Sequence, residues 1–485
     1  MALDVLLSTD ARLILASHGL TSDGFLGLSS PSDSSSGAPP GSGGGTPSFG
    51  QTFNGGTSAD VFVGGDQNDL VFGGGGSDSL SGGAGTDSIS SGADVGGART
   101  APADMTVLQG LGGADTLHGG AGHDMLYGQG GNDVIVAGSG FETIYGGQGD
   151  DAIDARAVTA GDHALYISGD IGNDFVYSGL GSEIVLTGPG DDVVRSGNQS
   201  GLAGTLQQIF GNQGNDLLSC VTAGDGQVFG GQGDDVVGLS GTGHLMGFGN
   251  LGDDIMVLQS AGSLYGGQGG DHLYAVGSGS HYLSGDLGSD VIYAGPGGGP
   301  SAGGYDTVIG GRGSDDIHLS SADLSLSLGG LGGVSTPLSA QGAASLVYVA
   351  GDSTAAAPGV VGVTGTENLD RIFDFKHAVT ASDGSAAGGD QIHLASLPSL
   401  VTPGLLSAGN VAIGAASDYA GAFDYAYGGG GHFTSGVAYL EVQVSGANAQ
   451  GAGFYLFAND ASHTALFFSQ GTAGVTLQTG DVVAG

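Results

Sequence analysis

The sequence predicts an all-β protein, a right-handed parallel β-roll followed by a β-rich C-terminal cap. Three observations predict it: a nine-residue period between residues 55 and 318, a glycine content of 106 in 485 residues, and an apolar residue at one fixed place in every copy of the period. Glycine-rich composition alone is the mark of disorder, so it is the period that carries the assignment.

Residues 64 to 90 read GGDQNDLVF, GGGGSDSLS, GGAGTDSIS without a gap, and residues 110 to 154 read GLGGADTLH, GGAGHDMLY, GQGGNDVIV, AGSGFETIY, GGQGDDAID. The pattern is G-G-x-G-x-D-x-U-x, with U a large apolar residue. Counting the copy at 55 and the later ones that begin at 169, 178, 187, 211, 230, 249, 266, 285 and 310, there are 18. Position six is Asp in sixteen: Asp60, Asp69, Asp78, Asp87, Asp115, Asp124, Asp133, Asp151, Asp174, Asp192, Asp216, Asp235, Asp254, Asp271, Asp290 and Asp315. The other two copies carry Glu142 and Glu183, and position eight is apolar in all eighteen, from Phe62 and Val71 to Ile292 and Ile317.

Each position has a physical duty. Glycines turn the backbone through positive φ and bring carbonyls inward without a Cβ in the way. The position-six carboxylate supplies a hard anionic oxygen and the carbonyls supply neutral ones, the ligand set that Ca²⁺ prefers. The last three residues form a short strand whose middle side chain points inward, because side chains alternate faces along a strand. Two nonapeptides then make one coil of a calcium-stacked solenoid, and the sixteen aspartates are its expected metal ligands. A flexible Gly/Asp linker would have no reason to place Leu, Ile or Val at position eight every time.

Residues 55 to 318 resemble the RTX, or hemolysin-type calcium-binding, repeats of secreted Gram-negative bacterial proteins. The resemblance implies calcium ions held between successive turns on one edge, by the Asp and by turn carbonyls. It also implies an extracellular or cell-surface location and type I export machinery as a transient partner.

From residue 146 onward the well-formed copies start 17 to 25 residues apart, about one whole coil. The segments between them, such as 220–229, 258–265 and 275–284, keep a glycine turn and an apolar strand but lose the carboxylate. One edge is therefore expected to keep its calcium ladder while the other becomes metal-free, either by drift or as a contact surface. Residues 55 to 154 are expected to carry calcium on both edges.

The flanks divide the chain further. Residues 1–27 form a short N-terminal segment, expected to dock because Val5, Leu6, Leu7, Leu13, Ile14 and Leu15 are otherwise exposed. Residues 28–50 are a Ser/Gly/Pro linker too poor in apolar residues to fold, and the roll occupies 51–330. Residues 331–485 are the β-rich cap. Within it, Asn368–Phe375 and Gly389–Leu394 resemble the D-x-I-x-D-F and G-D-x-I-D-L segments that close RTX rolls, with His393 in place of the usual Asp. Tyr439–Val444 and Phe454–Asp460 resemble terminal strands of type I secretion substrates and of RTX-type surface-layer proteins. The last residues, Val475–Gly485, are similar to an uncleaved C-terminal export signal.

Composition narrows the function. Against 48 acids stand 7 basic residues, a formal charge of −41, which repels nucleic-acid phosphates and anionic lipid. No run of 18 apolar residues is present to span a bilayer. The N-terminus lacks a basic region and its apolar run is broken by Asp4, Asp10 and Arg12, unlike a signal peptide. Cys220, the one cysteine, reads as a buried inert thiol, and the scattered histidines read as exposed or packing residues. Neither H-E-x-x-H, nor G-x-S-x-G, nor a P-loop occurs, so no enzyme is expected. Two functions fit: a secreted, self-assembling structural protein of a surface layer, filament or matrix, or a roll that binds or modifies extracellular polysaccharide.

Overall fold

The computed structural model describes residues 50–319, apart from 75–77, 93–104, 159–164, 198–203, 277–278 and 295–305, and then the backbone of ten strands between 344 and 484. The N-terminal segment, nearly all of the linker and most of the expected export segment lie outside the described residues. Among the described residues there are strands and turns but no helix, and so no helix long and apolar enough to cross a membrane.

The chain divides into two compact units, with Leu245 ending the roll residues of the first and Met246 opening the second. The first begins with β1 (Thr52–Asn54), β2 (Val61–Val63), β3 (Leu70–Gly74) and β4 (Ser79–Ala84). Successive strands go alternately to two parallel sheets, here A and B: β1 pairs with β3 in sheet A, and β2 with β4 in sheet B. The register repeats every two nonapeptides, Phe53 beside Val71 and Val71 beside Ile89. Where extra residues intervene the step lengthens but the register survives. Leu80 lies beside Leu108 and Val194 beside Leu218, because an inward position-eight side chain has one place to go.

That inward column is the core. Val71, Leu80, Ile89, Leu117, Ile135 and Ile153 are all essentially inaccessible, as expected. The segments without a carboxylate contribute equally, with Leu108, Ile167, Ile209 and Val228 completing the column on sheet B. Hence the loss of the repeat's ligand did not entail the loss of its strand.

The turns show why glycine is so frequent. Where position four is a described glycine it has positive φ, as at Gly113, Gly131 and Gly149, and a Cβ at these three would run into the carbonyl of the coil before. On the turns that enter sheet A from Gly83 onward position two is left-handed as well, yet there the chain tolerates side chains: Leu111, Gln129, Asp170, Asn212, Asn250 and Asp286 all have φ between 72° and 80°. The sequence reading assigned that conformation to glycine alone; regular stacking of the turns holds it at non-glycine residues too.

The second unit repeats the pattern, with Met256, Leu273, Ile292 and Ile317 in sheet A and Leu264, Leu283 and Val308 in sheet B. Both sheets then continue into the cap. Asp370–Phe373 adds in parallel to Asp316–His318, while Ala344–Tyr348 and Gln391–Leu394 extend the sheet of Asp306–Arg312. Thus the two segments likened to roll-closing motifs lie on opposite sheets. Tyr439–Val444, Gly453–Ala458 and Ala465–Ser469 pair antiparallel, ending the coiling path.

Candidate metal centre

The turns that enter sheet A form one edge of the roll, and position six of each turn puts an aspartate on it. In the first unit the column is Asp69, Asp87, Asp115, Asp133, Asp151, Asp174, Asp192, Asp216 and Asp235; in the second it is Asp254, Asp271, Asp290 and Asp315. All of them are buried. One carboxylate oxygen, Oδ1, accepts the N–H of the aspartate one coil earlier, at 2.7 Å for Asp87 N to Asp115 and 2.8 Å for Asp133 N to Asp151. The same rung recurs from Asp254 N to Asp271 and from Asp271 N to Asp290, at 2.9 and 2.8 Å. Such charge-assisted bonds fix the carboxylate plane.

The second oxygen is left over. Oδ2 of Asp87, Asp115, Asp133, Asp151, Asp174, Asp192, Asp216, Asp271 and Asp290 is buried and makes no hydrogen bond. In all of these but Asp192, whose repeat begins with Thr187, it faces the position-one glycine of its own repeat, and at Gly110, Gly128, Gly146, Gly169, Gly211, Gly266 and Gly285 a carbonyl from the next coil also converges. A methyl group added at Gly110 would overlap both Asp115 Oδ2 and the carbonyl oxygen of Gly128. At Gly128 it would meet Asp133 and Gly146, at Gly211 Asp216 and Gly230, and at Gly285 Asp290 and Gly310. An anionic oxygen and a neutral carbonyl aimed at one glycine-lined space suit a hard cation such as Ca²⁺.

Electrostatics makes the same demand. Burial, reinforced by carboxylates on neighbouring coils, pushes Asp115 and Asp151 up to about 7, Asp174 and Asp290 to about 8 and Asp216 to about 9. A stack of like charges out of water must be protonated or neutralised. With thirteen buried aspartates on this edge and seven Lys and Arg in the whole chain, side chains cannot neutralise it. Among the described residues no three His, Cys, Asp or Glu side chains converge as one metal-binding group. An ion here would therefore take its remaining ligands from turn carbonyls, which a backbone so rich in glycine can supply.

Asp60, Asp69 and Asp124 sit in the same register but use Oδ2 differently, each accepting the N–H of the position-two glycine of its own repeat, Gly56, Gly65 and Gly120. Asp60, Asp78 and Asp124 belong to the opposite edge, where the turns enter sheet B. There the ladder is less regular than expected for residues 55 to 154. Asp78 N reaches Thr106 Oγ1 at 3.4 Å, so a hydroxyl occupies the rung between Asp78 and Asp124. The segment, residues 101–109, stands in frame with the copy at 110 but has no glycine and has Thr106 at position six, so the motif does not pick it out.

Beyond Glu142 that edge changes character. Its rungs in the first unit are Leu165, Glu183, Gln207 and Gly226. Burial raises Glu183 to about 8 and, with that carboxyl nearby, Cys220 to about 12; the thiol donates to Gln207 Oε1 at 3.1 Å. That agrees with an inert cysteine. In the second unit two rungs are His281 and Asp306, and His281 Nδ1 lies 2.8 Å from Asp306 Oδ1 in full burial. Asp306 is a carboxylate in register that the motif does not pick out, since its repeat, residues 301–309, has Ser301 and Ala302 in place of the first two glycines. His281 is correspondingly a buried, paired histidine rather than a scattered surface one.

The model of the RTX calcium-binding nonapeptide repeat matches residues 54–94, 106–135, 127–157, 166–194 and 302–322. Among solved structures the chain is similar to a hyperactive, Ca²⁺-dependent, β-helical antifreeze protein from an Antarctic bacterium, at 18% identity and a TM-score of 0.36 over 69% of this chain and 86% of that one. No curated protein matches it. With the nonapeptides, the two-sheet coils and the aspartate column in place, this chain is an RTX repeat protein, a calcium-binding β-roll.

Proposed function

We propose that the protein is an extracellular structural building block, of a surface layer, filament or matrix, whose roll folds on meeting calcium outside the cell. The observation that carries this is the buried aspartate column with its converging carbonyls, in a chain of 48 acids and 7 Lys and Arg. Extracellular calcium modules bind with Kd of ~10⁻⁴ to 10⁻³ M. At ~1 mM free calcium a site with Kd ~10⁻⁴ M contributes roughly 1.4 kcal/mol by mass action. On the order of ten such sites match the whole stability of a typical domain, whereas in low-calcium cytosol almost none of this is available. A chain with that property suits export in an unfolded state.

The outer face of sheet B favours the structural role over a sugar-binding one. Tyr127 and Tyr145, and likewise Phe210 and Phe229, stack with their planes within 2° at 5.2 and 4.8 Å. In the second unit Phe248 and Tyr265 stack within 6° at 5.0 Å. Their ring faces are turned to one another, so they stiffen the solenoid instead of offering a flat platform to a pyranose. The test is particle size by light scattering and electron microscopy before and after calcium addition. Large regular particles support the reading, and a monomer at all calcium and protein concentrations contradicts it.

A further inference from the structure

The core column is closed everywhere in the first unit except at its first coil. Phe53 and Phe62 are the inward side chains of β1 and β2, and they are only partly covered, whereas Val71, Leu80 and the inward residues after them are inaccessible. Their rings stack on each other at 4.9 Å, and among the described residues no strand precedes them. On the outside of the same coil Val61 and Val63 are 76% and 71% exposed. Among the described residues β1 pairs only with β3 and β2 only with β4, so each has a hydrogen-bonding edge without a strand. An open core with two bare edges is the end of a solenoid that a terminal cap normally covers.

The chain just upstream cannot provide that layer by continuing the coil. Eighteen residues before Phe62 and Phe53, the inward places would fall to Gly44 and Ser35, neither of which can fill space over a phenyl ring. The next apolar run back is Val5-Leu6-Leu7 and Leu13-Ile14-Leu15. Asp4-Val5-Leu6-Leu7 also has the order of the repeat's last four residues, carboxylate, any residue, apolar, any residue. The linker 28–50, as a flexible Gly/Ser chain, has a root-mean-square reach of ~25 Å, enough to turn back across one coil.

We propose that residues 3–15 fold back to cap the open N-terminal end of the roll, with Leu6 and its neighbours over Phe53 and Phe62 and the backbone of Val5–Leu7 beside β2. The cap shields an edge that would otherwise pair with a second copy. Its failure would leave the structural role untouched, because the test reads one end of the roll and not particle formation.

The test uses the full chain in calcium. Native Cys220 is buried, so a Leu7→Cys, Val63→Cys double variant, which joins two outward places of the register that sets Leu6 beside Phe62, reports on the new pair alone under mild oxidation. A cap predicts an intrachain disulfide whose yield is independent of protein concentration. Intermolecular disulfides that grow with concentration would mean that a second copy covers the end, and no disulfide would mean that it stays open; either overturns the proposal. Hydrogen exchange on a Leu6→Asp variant gives an independent reading: amides of Val61–Val63 and Thr52–Asn54 should exchange at least tenfold faster than in the parent, while those of Val236–Gly241 are unchanged. Identical exchange at β1 and β2 in both proteins would overturn it as well.

Discussion

At the scale of the residue, the aspartates of the sheet A edge do two things at once. Asp115, Asp133, Asp151, Asp174, Asp216, Asp271 and Asp290 each receive an N–H through Oδ1 and present Oδ2 to a glycine-lined space. Asp216→Ala removes both functions. It should lower calcium-loaded stability by ~2–4 kcal/mol, combining a lost ion of ~1.4 kcal/mol with an unsatisfied buried N–H at Asp192. Asp225 stands on an exposed turn, paired with His244 at 3.0 Å. Asp225→Ala should therefore shift stability by less than ~0.5 kcal/mol. Urea unfolding of both variants in calcium checks the contrast. The pH dependence of the metal-free chain follows from the same burial. Aspartates raised to between about 6 and 9 hold protons in the folded state that the unfolded chain has released above about 4. The apo fold therefore loses stability as pH rises from about 4 through 9, and chelator-treated protein should gain β-structure on acidification, read by circular dichroism. Calcium binding near neutral pH should in turn release protons, measurable as a buffer-dependent heat. The place of these carboxylates along the edge was legible in the sequence, because position six repeats. Their spare oxygen was not, since it depends on the coil that follows.

At the scale of the element, strands were read correctly wherever an apolar residue held position eight, including those whose turns had decayed. The glycine duties were read only in part. Gly112 and Gly113 are neighbours in one turn, yet a Cβ at Gly112 meets open space while one at Gly113, at φ 127°, strikes the carbonyl of Gly85. Gly112→Ala should be neutral within ~0.5 kcal/mol, and Gly113→Ala should cost ~2 kcal/mol or more. Thermal unfolding in calcium separates them. Sequence alone treats the two glycines alike, since the difference lies in the distance to an adjacent coil. The same holds on the sheet B edge, where Thr106, His281 and Asp306 take rungs that no nine-residue template assigns to them. A ladder position is defined by stacking, and stacking survives insertions that break the period.

At the scale of the whole molecule, the proposed function makes calcium binding and folding one equilibrium. Forty-eight acids and seven basic residues leave the folded chain with a column of buried carboxylates that only added cations can neutralise. The composition announced the charge problem and the period announced the ligands; the burial of the column, which makes the dependence strong, required the fold. The most direct measurement is far-UV circular dichroism of the full chain at neutral pH, titrated with calcium, with magnesium, and then with chelator. The account predicts that β-structure appears cooperatively with calcium, does not appear with magnesium, and is lost on chelation. A cooperative, fully folded β-signal in chelator at neutral pH would contradict it.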